Sequence, residues 1–121
     1  MQIHFKGTQY ELSSDATARM TRKVTALKKY MGKDSDNAHA YVELGKETTA
    51  HQSGDVWRSE INLTFPGSQF RAVAVKDTLE TAIDESVNEL AKELRRSKKR
   101  GETLVRQGGS VLKGLMRGFR S

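Results

Sequence analysis

The way the hydrophobic period changes along the chain constrains the fold more than any other feature. Ala38, Ala40, Val42 and Leu44 alternate with His39, Tyr41 and Glu43. Trp57, Ser59, Ile61, Leu63 and Phe65 alternate with Arg58, Glu60, Asn62 and Thr64. Phe70, Ala72 and Ala74 alternate with Arg71, Val73 and Val75. A period of two belongs to a strand with one buried face. On both sides of this block the period lengthens. Ala16, Met20, Val24, Leu27 and Met31 recur at steps of three and four, as do Leu79, Ile83, Val87, Leu90 and Leu94. Each set makes one apolar stripe on a helix. Near the start, Ile3 and Phe5 fall on one side of a short strand from Gln2 to Lys6, with His4 and Lys6 on the other.

Punctuation between these segments agrees. Ser13 can cap the first helix, Asp15 suits the positive end of its dipole, and Gly32 is a natural stop. Lys33 to Asn37 reads as a polar loop. Ser53-Gly54-Asp55 and Pro66-Gly67 are turn signals. Asp77 or Thr78 can cap the second helix, and Glu80 offers a capping box with Asp77. The predicted order is β-α-β-β-β-α, an α+β fold. The last three strands form an antiparallel meander, and the first two are joined through a helix and can be parallel. One apolar stripe per helix and one apolar face per strand are buried most economically by a four-stranded sheet with both helices on a single face. The domain is expected over residues 1–100. Residues 101–121 hold five glycines and four basic residues and read as a flexible tail. Within that tail, Val111, Leu112, Leu115, Met116 and Phe119 among Lys113, Arg117 and Arg120 make a weak basic amphipathic pattern.

Charge is distributed unevenly. Residues 1–91 carry 11 Lys/Arg against 13 Asp/Glu, a balance of −2, whereas residues 92–121 carry 10 against 2, a balance of +8. Six of the nine residues from Lys92 to Arg100 are basic, more than the dipole at a helix C-terminus explains. Lys92, Arg95, Arg96 and Lys99 recur at three and four residues along one strip, which Lys98 and Arg100 widen. Leu90 and Leu94 hold the inner side of that helix, so the strip is rigid and matches a row of nucleic-acid phosphates. Arg19 and Lys23, with Tyr30 nearby, flank the stripe of the first helix and can extend this surface, while Arg22 and Lys29 point toward water. The outer sheet face reads as polar, with Tyr41 its single stacking aromatic, so nucleic-acid contacts are expected from the helices.

Other chemistries find little support. The chain has no cysteine, and His4, His39 and His51 lie in different segments without a close ligand pair. No nucleophile elbow, P-loop or HExxH stretch occurs. Glu80, Asp84, Glu85 and Glu89 suit the positive end of a helix and i,i+4 pairing. The expectation is therefore a non-enzymatic cytoplasmic protein without metal, cofactor, small-molecule substrate or membrane partner.

An ordered series of short segments runs along the chain. It comprises Met1-Gln2-Ile3 with Gly7, Glu11-Leu12-Ser13, Lys23, Leu27 and Lys29-Tyr30. It continues with Ala40-Tyr41-Val42-Glu43-Leu44 and the run from Val56 to Leu63, then Ala82-Ile83-Asp84, Leu90-Ala91-Lys92-Glu93-Leu94 and the basic run to Arg100. This series resembles the ribosome hibernation-promoting factor and ribosome-associated inhibitor family, also called sigma-factor modulation proteins; the resemblance spans about residues 2–100 and is to the short form. It implies a fold similar to double-stranded RNA-binding domains, and occupation of the small-subunit channel where mRNA and tRNAs lie. Lys23, Lys29, Lys92, Arg96 and Lys99 match family cations; Arg95 and Arg100 join the rRNA-binding set from the strip itself. The family's Asp-Met-Tyr at the second helix is Thr78-Leu79-Glu80 here, and a family lysine is Ala26. The tail is too short for the dimerisation domain of long members, so a monomer off the ribosome is expected. A protein-interaction regulator, or a generic double-stranded RNA binder, are the competing readings.

Overall fold

The computed structural model describes residues 1–47 and 56–107, with side chains through residue 98. His51, the turn at Ser53-Gly54-Asp55 and residues 108–121 lie outside the described residues, as do the side chains of Lys99 and Arg100. Four strands, β1 (Gln2–Thr8), β2 (His39–Lys46), β3 (Trp57–Phe65) and β4 (Ser68–Lys76), form one sheet in sequential order. β1 and β2 run parallel, and the other pairs are antiparallel. Helix α1 (Ser14–Thr25) lies between β1 and β2, and α2 (Leu79–Gln107) follows β4. This is the expected α+β architecture.

Alternation explains the sheet's two faces. Ala40, Val42, Leu44, Ile61, Leu63 and Ala72 point to one side and share a buried cluster with Met20 and Val24 of α1 and Ile83, Val87, Leu90 and Leu94 of α2. Both helices therefore cover the same face. Ser59 and Ser86 are the fully buried polar residues of this core. The Ser86 hydroxyl donates to the Ile83 carbonyl at 2.9 Å, so the 2.8 Å contact between the two hydroxyls is Ser59 donating to Ser86. That bond ties α2 to β3.

Local details refine the expectations. Ser13 caps α1 by accepting from the Ala16 N–H at 3.1 Å. The α-helix ends at Thr25, and Ala26–Tyr30 and Gly32–Asn37 continue as 3-10 turns. Leu27 and Met31 stay buried through this tightening. Gly32 has φ 59°, a left-handed conformation that glycine adopts without penalty. Thr78, not Asp77, caps α2, accepting from the Thr81 N–H at 3.1 Å; the reciprocal partner is Thr81 rather than Glu80. α2 runs on to Gln107, past the boundary drawn at residue 100. One interior glycine costs a helix about 1 kcal/mol, too little to end it at Gly101.

Candidate nucleic-acid interface

The basic end of α2 is anchored from below. Leu90 and Leu94 are buried to 0% and 2% exposure, and Arg95, Arg96, Lys92 and Lys98 are exposed above them. At 3.6 residues per turn, Lys92, Arg95 and Lys99 fall within about 60° of arc, with Arg96 about 40° beyond Lys92. The strip is thus one broad surface of a packed helix.

The first-helix cations meet this surface, through contacts that pair distant residues. Arg19 clasps Asp84 of α2 with two bonds, Nε to Oδ1 at 3.0 Å and a terminal guanidinium nitrogen to Oδ2 at 2.8 Å. Lys23 reaches the same carboxylate at 3.3 Å. The Arg19 hydrogen bond, reinforced by Lys23, holds the Asp84 carboxyl below its ordinary range despite partial burial. Further along the inter-helix seam, the Arg95 guanidinium beside the Tyr30 phenol, with the nearby charge of Lys29, holds that phenol below its ordinary range against the opposing effect of burial. Lys29 Nζ lies 5.3 Å from the Tyr30 ring centroid, a cation–π contact.

Five of the expected binding residues with described side chains, Lys23, Lys29, Lys92, Arg95 and Arg96, therefore border a seam between the helices or the strip beside it. They do not stand as free charges. Lys92 pairs with Glu89 at 3.2 Å and Arg96 with Glu93 at 2.7 Å, both at i,i+3 spacing. On sequence alone Glu80, Asp84, Glu85 and Glu89 go to the helix dipole and i,i+4 pairing and Glu93 is left out; the structure instead pairs Glu89 and Glu93 with the strip at i,i+3. The i,i+3 pairs were readable from spacing alone. The Asp84 clasp was not, since its partners are 65 and 61 residues away in sequence.

The opposite sheet face departs from expectation. The parallel register sets His4 beside Tyr41 and Gln2 beside His39. As a result His4 Nε2 and His39 Nδ1 lie 3.1 Å apart, one ring N–H donating to the other ring's bare nitrogen. The reading of the histidines as unconnected is corrected for this pair, because register brings together what alternation only assigns to a face. The His4 ring stacks on Tyr41 at 4.7 Å and 12°. Tyr41 is accordingly not a solitary ring. Nearby, Glu60 accepts from Arg58 at 2.6 Å, Asn62 at 2.7 Å and Arg71 at 3.0 Å. Burial would raise its pKa; these three donors outweigh burial and hold it at about 2.

Among the described residues, no group of three or more His, Cys, Asp or Glu side chains is arranged to hold a metal ion, and no helix is long and apolar enough to cross a membrane.

Fold and surface together define an α+β domain that presents a buttressed, cation-rich helix beside a polar sheet. The sequence profile of the sigma 54 modulation protein / S30EA ribosomal protein family matches residues 3–102. The chain belongs to that family of ribosome-associated modulation proteins. The fold is similar to that of the Thermus thermophilus Protein Y N-terminal domain, with TM-score 0.63 and 22% identity over 78% of this chain and 93% of that one. It is equally similar to a ribosomal subunit interface protein from Coxiella burnetii, with TM-score 0.63 and 18% identity over 82% of this chain and 99% of that one. A search of curated proteins gives no match.

Proposed function

We propose that this protein is a non-catalytic ribosome hibernation factor of the cytoplasm. It binds rRNA of the small subunit and stops translation by filling the path of mRNA and tRNA. The observation that carries this reading is the buttressed strip: Lys92, Arg95 and Arg96 exposed on a helix whose inner side is locked by Leu90 and Leu94. Family membership supplies the ribosome as the partner. Lys23 and Lys29 extend the surface, and Lys99 and Arg100 continue it along α2. Such cations meet phosphates, which gives affinity and register without reading bases. Inhibition follows from the volume of the folded body, so no reactive group, cofactor or small-molecule substrate is required. The protein is monomeric off the ribosome and belongs to a stress response.

Co-sedimentation with purified small subunits tests this reading. The double variant Arg95→Glu/Arg96→Glu should lose binding at physiological salt while its circular dichroism stays unchanged. A folded variant that still sediments with the subunit would remove the strip from the interface. Equal affinity for any RNA duplex would replace the ribosome-specific reading with a generic duplex binder.

A further inference from the structure

The outer sheet face carries a second surface whose chemistry differs from that of the strip. Both helices cover the other face, so this one is open among the described residues. Three rings stand on it. His4 and Tyr41 stack at 4.7 Å, His4 and His39 meet edge to edge with centroids 5.4 Å apart, and all three planes agree within 15°. The hydrogen bond between the histidines and the stack on Tyr41 hold the rings in one orientation. Tyr41 is nonetheless 48% exposed, the most exposed large apolar side chain described.

Beside Tyr41 lies a shallow depression of about 200 Å³, lined by Tyr41, His4, Lys6, Glu43, Glu60 and Asn62. Its polar groups are set in place. Glu60 is engaged on both oxygens, Oε1 by Arg58 and Arg71 and Oε2 by Asn62. Glu43 accepts from the Thr8 hydroxyl through one oxygen, Oε2, at 2.6 Å. Among the described residues its other oxygen, Oε1, has no hydrogen-bond donor, which leaves an acceptor for a ligand. Lys6 is exposed on the neighbouring strand, and Arg71, 60% exposed, closes the cross-strand row His4–Tyr41–Asn62–Arg71. At strand spacings of 4.7–4.9 Å, Arg71 lies about 10 Å from Tyr41.

We propose that this depression binds one unpaired, amine-bearing nucleobase of single-stranded RNA. The base stacks on the preoriented Tyr41 ring, as unpaired bases do on aromatic side chains. Its exocyclic amine donates to Glu43, and Lys6 and Arg71 take the flanking phosphates. Uracil presents a carbonyl where cytosine presents an amine, so the carboxylate selects cytosine over uracil. A protein partner would have no such preference. This surface is independent of the helix strip, and it stands or falls separately from the ribosomal reading above.

The test titrates the full chain with pentacytidylate and with pentauridylate RNA, followed by fluorescence anisotropy and by amide chemical shifts. Pentacytidylate should bind more tightly, with shifts centred on residues of β1 and β2. Tyr41→Ala should weaken it by about 5- to 150-fold, the range for loss of one stacked base. Tyr41→Phe should bind within about twofold of the parent, because stacking does not need the hydroxyl. Glu43→Gln should erase the preference for cytosine. Shifts confined to the helices, unchanged binding by Tyr41→Ala, or tighter binding of pentauridylate would each overturn the proposal. So would loss of small-subunit binding by Tyr41→Ala with oligonucleotide binding intact, which would assign this face to a protein contact.

Discussion

If Lys92 and Arg96 grip phosphates, their own counter-ions must compete with the RNA. Glu89 holds Lys92 at 3.2 Å and Glu93 holds Arg96 at 2.7 Å, with all four side chains substantially exposed. Exposed helix pairs at this spacing are worth about 0.2–0.5 kcal/mol each. Both must loosen before the cations turn fully to RNA. The double variant Glu89→Gln/Glu93→Gln removes that cost, so binding to small subunits should tighten by about 0.4–1 kcal/mol, or about two- to fivefold in Kd. The number of phosphates engaged does not change, so the slope of log affinity against log salt should stay that of the parent. Lys92→Gln/Arg96→Gln should instead weaken binding and make that slope shallower by about 1.5–2. Anisotropy titrations of labelled protein with purified subunits at three or four salt concentrations measure both quantities. Unchanged or weaker binding by a folded Glu89→Gln/Glu93→Gln variant would refute the phosphate role of Lys92 and Arg96.

Leu94→Ala should cost about 2–5 kcal/mol by chemical denaturation, because Leu94 is buried beneath the strip; a loss under 1 kcal/mol would mean the helix end is not held by the core. Ser86→Ala should destabilise by about 1–3 kcal/mol by stranding the buried Ser59 donor, and Ser59→Ala by less, since Ser86 keeps its bond to the Ile83 carbonyl; the reverse order would refute the assigned donor direction. Glu60, at about 2 when folded and near 4.5 otherwise, contributes stability that is full above about pH 4.5 and lost as pH falls through about 2. That contribution is on the order of 3 kcal/mol. Denaturation of wild type and Glu60→Gln at pH 7 and pH 3 should show the difference between them shrinking, and a constant difference would contradict it.

How far the sequence disclosed this architecture depends on the range of the interaction concerned. Period-two runs and stripes at steps of three and four are local, so strands, helices and the buried set were readable from Ile61 to Leu94 without a structure. The end of α1 was not, because Leu27 and Met31 continue the apolar spacing of the helix although the backbone tightens to 3-10 after Thr25. Gly101 misled because a glycine can sit inside a helix as well as behind one. At the strip, the run Lys92–Arg100 declared the cations and their helix, but the residues that position them are tertiary. Asp84 faces Arg19 and Lys23 only because α1 and α2 pack side by side, and Tyr30 reaches Arg95 only after the 3-10 turn has swung it there. On the sheet, the parallel pairing of β1 with β2 was expected, yet alternation says nothing of register. Without register, His4, His39 and Tyr41 are three separate surface residues.

The mixed charge of the helix pair follows from two requirements that pull against each other. Six cations in nine residues repel one another, and like charges a turn apart destabilise a helix by amounts comparable to what opposite pairs supply. Placing Glu89 and Glu93 one turn before Lys92 and Arg96, and Asp84 opposite Arg19 and Lys23, offsets that repulsion in the free protein. These exposed pairs are individually weak, so a dense row of phosphates can displace them. Arg95 is different: the group beside it is the uncharged Tyr30 phenol, which does not neutralise the guanidinium. If that phenol orients Arg95, Tyr30→Phe should weaken small-subunit binding through Arg95 alone. In an Arg95→Gln background the same Tyr30→Phe change should have no further effect, and an additive loss would show that Tyr30 acts by another route.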